Sequence, residues 1–294
     1  MSGTVAEAAA WWLGWRVGRV AESTAERDAQ VVRNLPAWFA STPVREVTGG
    51  DVFAVALGWP GASNTKNRAL ITLKALFRDL AGRGLAPASP AAGVSRPRAG
   101  APPRPGCAIA WADVAGVAAL VGARGQVYSD LVTLGAHTGL RWGELAELRF
   151  SDARAGGAML SVSRSADARG RVKEPKSGRA RVVPLDRAAR EVVERRRLAA
   201  PGPDALVLPS PRGYRLARRN VVARSGWALA APGHRLHCLR HTFAVHLVDV
   251  PGVATSDIQR WLGHSSLATT ERYLASLAAS GRDAALLAAL DAAA

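Results

Sequence analysis

Residues 237–273 read HCLRHTFAVHLVDVPGVATSDIQRWLGHSSLATTERY. Arg240 falls three positions after His237, so a helix through this stretch carries both side chains on one face, where they can meet the same anion. A Pro-Gly turn near Pro251 separates this helix from a second, which bears Gln259 and runs up to Gly263. His264 then sits in a Gly-His-Ser turn, and Tyr273 follows nine residues later near the end of a further helical pattern. Taken singly, these residues have ordinary readings: His237 as a hydrogen-bonded structural histidine, Tyr273 as packing. His241 lies four positions after His237 and admits a zinc pair. Zinc needs a further protein ligand, though, and neither an HExxH pattern nor a cysteine cluster supplies one, so no metal site is expected.

Upstream, residues 137–148 read HTGLRWGELAEL. Arg141 stands at a loop-to-helix junction, with Glu144 one turn later on the same side. Glu144 in that place can orient the Arg141 guanidinium so that its planar fork faces a phosphate. An ordinary surface ion pair has the same spacing. Between these two stretches, residues 158–185 (AMLSVSRSADARGRVKEPKSGRARVVPL) partly alternate and are broken by Gly and Asp, which predicts a small antiparallel sheet with a hairpin.

Further helical patterns lie near residues 111–121, 128–137 and 143–148, and before them residues 89–106 (SPAAGVSRPRAGAPPRPG) have no helix or strand period and read as a linker. Four helical patterns precede it, at 8–20, 24–39, 47–57 and 64–81, with Ser23 or Thr24 and Ser63 at expected N-caps and Gly82 and Gly84 as a stop. The predicted organisation is a helical domain over 1–88, a linker over 89–106 and a second domain over 107–294. The expected fold class is mainly α with a small antiparallel β-sheet (α+β). The Ala-rich segment from Gly281 onward is amphipathic, with Leu286, Leu287 and Leu290 on one face. It packs either on its own domain or on a neighbouring protomer.

Composition narrows the partner. A net charge of +16 implies a polyanion, nucleic acid first, because phosphate neutralisation by Arg and Lys releases condensed counterions. The excess is concentrated in the second domain, with 29 basic against 16 acidic residues from Arg96 onward, compared with 10 against 7 before it. In the first domain Lys66, Arg68, Lys74 and Arg78 are candidate DNA contacts, although a solvated helical face has the same composition. Two cysteines, Cys107 and Cys238, cannot build a disulfide framework, which fits a reducing cytosol. The expectation of a cytoplasmic, nucleoid-associated protein without a membrane segment rests on two further readings: no apolar run approaches a membrane span, and the opening residues lack a signal-peptide pattern.

Phosphodiester transfer without a metal requires a nucleophile, cations around the non-bridging oxygens and an acid for the departing oxygen. The second domain holds all three kinds. In their order, GLRWGEL, LRHTFAVHL, LGHSS and TTERYL resemble the motifs of the tyrosine recombinase (phage integrase) family, over nearly the whole second domain. The first domain is similar to that family's helical core-binding domain in its pattern and in the form of NTKNRALITLKALFRDLAGRGL. The resemblance implies that Arg141, His237, Arg240, His264 and Tyr273 occupy five of six active-site positions. The sixth is a lysine before a basic strand ending in Val-Pro-Leu, and PKSGRARVVPL offers Lys176, with Lys173 as the rival. Only four of the 39 Lys and Arg residues are lysine. A lysine here is informative because Arg stays protonated, whereas Lys can release and regain a proton as a general acid.

The resemblance further implies a site-specific recombinase that needs no metal, ATP or other cofactor. Tyr273 attacks a phosphate of double-stranded DNA and forms a 3′-phosphotyrosyl intermediate, and a homotetramer carries exchange through a Holliday junction. It covers mobile-element integrases and Xer-like resolvases alike. The sequence departs from the family pattern near Pro251, where an extra residue is expected to shift the helix bearing Gln259. Two other readings stand beside recombination. One is a type IB topoisomerase-like activity, which needs a single cleavage and religation. The other is a catalytically idle DNA-binding protein, which needs neither Tyr273 nor a lysine among arginines.

Overall fold

The structure, a computed structural model, describes residues 3–95, 107–167, 169–174 and 180–263. They fall into two compact units that divide between residues 103 and 104. The first is helical: α1 (Val5–Arg16), α2 (Glu22–Arg33), α3 (Ala37–Ser41), α4 (Gly49–Gly58) and α5 (Ser63–Ala81). There are five helices where four were expected, because Pro36 ends the run that begins in α2: its ring cannot continue a helix interior, and α3 starts one residue after it. The expected serine and threonine caps also shift. Ala21 and Ala62 occupy the N-cap positions of α2 and α5 without side-chain bonds. The polar caps are instead Thr4 and Thr48, each exchanging bonds with an acid three residues on, Glu7 and Asp51. Gly82 closes α5 as expected, and Gly84 follows it at positive φ.

Along α5, Ala69, Leu70, Leu73, Leu76, Phe77 and Leu80 recur at helical spacing and are buried with Trp12 and Phe39. Ala91 and Val94 join the same core, so the first unit's packing extends into the stretch read as linker. Residues 96–106, the rest of that stretch, lie outside the described residues.

The second unit begins with α6 (Val114–Gly122), α7 (Gln126–Thr138) and α8 (Trp142–Glu147). The short strands β1 (Ala153–Arg154), β2 (Met159–Val162), β3 (Ser165–Ala166), β4 (Val172–Lys173) and β5 (Arg181–Pro184) come next. They are followed by α9 (Arg187–Arg197), α10 (Arg218–Arg224), α11 (Trp227–Ala230), α12 (Cys238–Val248) and α13 (Thr255–Leu262). The strands form an antiparallel sheet ordered β1-β2-β5 and a separate β3-β4 hairpin. The fold is therefore α+β, as the sequence predicts. On β2 and β5, Leu160 faces Val183 and Val162 faces Arg181, all four buried, while Val182 points outward. A period of two thus puts an arginine on the core face of the sheet.

Leu131, Leu134, Leu160, Leu239, Phe243 and Leu262 meet in one core, which joins α7, α12, α13 and the sheet. The turn after α7 depends on Gly139, whose φ of +61° lies in the left-handed region. A Cβ there would collide with Phe243 and Leu262, so the chain passes α12 at a distance only glycine allows. The two cysteines, too few for a framework, are nevertheless paired: Cys107 and Cys238 form a disulfide with Cα atoms 5.5 Å apart, tying the chain before α6 to the first residue of α12. This departs from the thiols that a reducing cytosol would hold. Among the described residues, no helix is long and apolar enough to cross a membrane.

Candidate active site

Three segments bring side chains to the C-terminal end of α13. Arg141 occupies the N-cap position of α8 in an extended conformation. Its backbone N–H donates to Glu144 Oε2 at 2.8 Å and its Nη1 to Oε1 at 3.1 Å, so one carboxylate fixes both the start of the helix and the direction of the guanidinium. Its Nη2 donates to the carbonyl of Gly263 at 3.0 Å. The i,i+3 pair is therefore not an ordinary surface contact. The Glu144 side chain is 1% exposed and that of Arg141 25%, so the acid is inside and the base opens outward.

Arg240, in the first turn of α12, is buried. It donates from Nη1 to the carbonyl of Gly139 at 2.7 Å and from Nη2 to that of Leu262 at 2.6 Å. The two guanidiniums expected from the motifs thus hold consecutive carbonyls, Leu262 and Gly263, at the negative end of the α13 dipole. His237 is the N-cap of α12. Burial, then the charges of Arg240, Arg141 and Arg218, push its pKa below the usual histidine value, which favours the neutral imidazole. His241 stands edge-on to it with ring centroids 5.0 Å apart, and burial followed by the neighbouring His237 and Arg240 lowers its pKa to about 4. Among the described residues no three His, Cys, Asp or Glu side chains gather as a metal-binding group.

Burial would raise the pKa of Glu144, but hydrogen bonds and charge from Arg181, together with the Arg141 backbone and charge, bring it below the ordinary carboxylate value. Arg181 belongs to none of the sequence motifs, and its signal is the strand alternation: an arginine in phase with Val183 faces the core and must find a partner. Lys173 lies on β4 and its Nζ pairs with Asp167 at 3.1 Å. Lys176, His264 and Tyr273 lie outside the described residues, as do Leu286, Leu287 and Leu290. Gln259 sits in α13, which follows a turn through Pro251 and Gly252 and packs through Ile258 and Leu262.

In the first unit, the four candidate DNA contacts lie along α5. Lys66 Nζ donates to the carbonyl of Leu57 at 2.6 Å, and Arg78 pairs with Asp79 at 2.8 Å. Arg68 is exposed and Lys74 half-buried.

In the α+β second unit, arginines from α8 and α12 thus converge on the end of α13. Residues 123–280 match the profile of the Phage integrase family, and the chain belongs to that family, the tyrosine recombinases. Its sequence is 37% identical over 144 residues to a tyrosine recombinase XerC from Pelobacter propionicus, covering 46% of this chain and 43% of that one. A XerC from Ralstonia pickettii is 32% identical over 148 residues, covering 46% and 45%. The chain thus spans less than half the length of these curated relatives. Among solved structures, the Tn1549 transposon integrase in complex with a circular intermediate DNA superposes with a TM-score of 0.78 at 21% identity, covering 92% of this chain and 95% of that one. A lambda integrase dimer bound to a COC' core site gives 0.71 at 18% identity, covering 92% and 77%. These structures share the fold.

Proposed function

We propose that this protein is a tyrosine-type site-specific recombinase that cleaves and rejoins double-stranded DNA through a 3′-phosphotyrosyl intermediate. One observation carries the reading: Arg141 and Arg240 anchor on the adjacent carbonyls of Gly263 and Leu262, directly before His264, and burial and their charges lower the pKa of His237. Fixed guanidiniums of this kind stabilise charge that develops on a phosphate without having to reorganise during the reaction. In this reading Arg141, Arg240 and His264 stabilise the phosphorane-like transition state. Tyr273 displaces the 5′-oxygen of the adjoining deoxyribose, Lys176 protonates that oxygen as it leaves, and His237 assists proton transfer. The ester is conserved in the covalent intermediate, so a 5′-hydroxyl from another strand reverses the step, and no metal or other cofactor enters.

Two such exchanges pass through a Holliday junction and use four active sites, hence a homotetramer on specific recombination sites, with the segment around Leu286 and Leu290 docking on a neighbour. The first unit acts as a core-binding domain that uses Lys66, Arg68, Lys74 and Arg78 on DNA. In support, one of the solved structures similar in fold is a lambda integrase tetramer bound to a Holliday junction, with a TM-score of 0.69. The test is covalent trapping on duplexes selected from a random pool. The wild-type chain is expected to give a denaturant-resistant DNA adduct and Tyr273→Phe to give none while still binding DNA. An adduct that survives in Tyr273→Phe rejects the nucleophile.

A further inference from the structure

Arg181 belongs to the same cluster but has no exit to solvent, its side chain being 5% exposed. It donates from Nη1 to Glu144 Oε1 at 2.9 Å, from Nη2 to Oε2 at 2.6 Å and from Nε to the carbonyl of Trp261 at 2.6 Å. Three consecutive carbonyls at the end of α13, those of Trp261, Leu262 and Gly263, are thereby held by Arg181, Arg240 and Arg141 in turn. The approach is close on the other side too. Gly263 has φ +65°, and a Cβ there would lie 3.1 Å from Arg181 Cδ. The glycine before His264 therefore satisfies both a left-handed helix cap and the space that Arg181 needs.

The charges give this packing a consequence for the chemistry. If Glu144 faced Arg141 alone, the carboxylate that aims the guanidinium would also cancel it. With Arg181 on the opposite side, the carboxylate is shared by two cations, and Arg141 keeps its orientation and its effective charge together. Glu144, Arg141, Arg181 and Arg240 sum to two positive charges, and without Arg181 to one. Cleavage moves a phosphodiester from one negative charge towards two, so this difference weighs on the transition state more than on bound DNA.

Resting on the recombinase reading above, we infer that Arg181 is a positioning residue of the reaction: it offsets Glu144 so that the field of Arg141 is not cancelled by the carboxylate that aims it, and it fixes the end of α13 from which His264 departs. The test compares wild type, Arg181→Gln, Arg181→Lys and the double variant Arg181→Gln/Glu144→Gln, each first checked for cooperative melting. Cleavage of suicide duplexes built from selected sites is one readout, and calorimetric binding of inorganic sulfate, a probe of the guanidinium pair that needs no chemistry, is the other. Arg181→Gln is expected to slow cleavage by about 10²-fold, the scale of a misaligned catalytic group, with DNA affinity unchanged, and to weaken sulfate binding. Arg181→Lys keeps the charge without the bidentate fork and should fall between Arg181→Gln and wild type. The double variant restores the cluster's net charge with two amides and should regain at least about tenfold of the lost rate, a coupling that contact loss alone would not produce.

The inference is overturned if Arg181→Gln cleaves and binds sulfate like wild type, or if the double variant is no better than the single one. If wild type forms no adduct on any selected duplex, the recombinase reading fails, and the sulfate titrations still decide whether Arg181 sets the guanidinium pair.

Discussion

Each unit buries a cluster of charges, and the two are built to different sums. In the first, Arg16 from α1 lies between Asp28 at 3.0 Å and Asp79 at 3.3 Å, Trp12 donates to Asp79 at 2.9 Å, Thr72 donates to Asp28 at 2.7 Å, and Arg78 reaches Asp79 from the surface. Two carboxylates meet two guanidiniums, Arg16 buried and Arg78 exposed, so the group sums to zero. In the second, one carboxylate, Glu144, meets Arg141 and Arg181, while Arg240 donates to the carbonyls of Gly139 and Leu262. Elsewhere in that unit Asp130 and Glu147 each also hold two arginines, whose side chains are 20% to 48% exposed. A balanced buried cluster is a fastening. An unbalanced one with an exposed guanidinium leaves positive charge for solvent or an anion to answer, because an uncompensated buried charge is tolerated only where one of them can reach it.

The comparison can be broken from either side. The largest effect on stability is expected from Arg16→Met, which strands the buried carboxylate of Asp28 and removes one of the cations on Asp79, and should cost about 3–5 kcal/mol in urea unfolding. Next comes Arg141→Ala, expected to lower DNA cleavage by about 10²–10³-fold with little loss of stability, the reverse of the Arg16 result. If Arg16→Met lowered cleavage without lowering stability, the division between fastening and site would fail.

A smaller effect concerns pH. The pKa of His241 is lowered in the fold from 6.5 to about 4, so its contribution to stability is complete above about pH 6.5 and is lost as pH falls from there towards 4. His241→Gln should flatten the fall in melting temperature over that window, and an unchanged slope would remove His241 as a cause. At the bottom of the scale, Arg187→Ala removes an exposed pair with Glu191 on α9 and should leave melting and cleavage within error.

Periodicity and motif order were the legible part of the sequence. The apolar spacing on α5, the hairpin between β2 and β5 and the Arg141–Glu144 junction follow from local rules, and each appears where its residues predict. Depth was not legible. Arg181 reads as one more cation in a basic strand until β5 pairs with β2 and turns it inward, and Glu144 reads as a surface partner until two arginines close over it. Pro36 divided a continuous helical pattern, the caps moved to threonines whose acid partners lie three residues on, and the pairing of Cys107 with Cys238 depends on contacts across 131 residues that no local pattern announces.

The central claim is that the unbalanced arginines serve a DNA phosphate attacked by Tyr273, and peptide mapping of the trapped adduct tests it most directly. The chain has three tyrosines, Tyr128, Tyr214 and Tyr273. After nuclease and protease digestion, the nucleotide remnant is predicted on the peptide containing Tyr273, joined through the 3′-phosphate. A remnant on Tyr128 or Tyr214, or a linkage through the 5′-phosphate, would contradict the account.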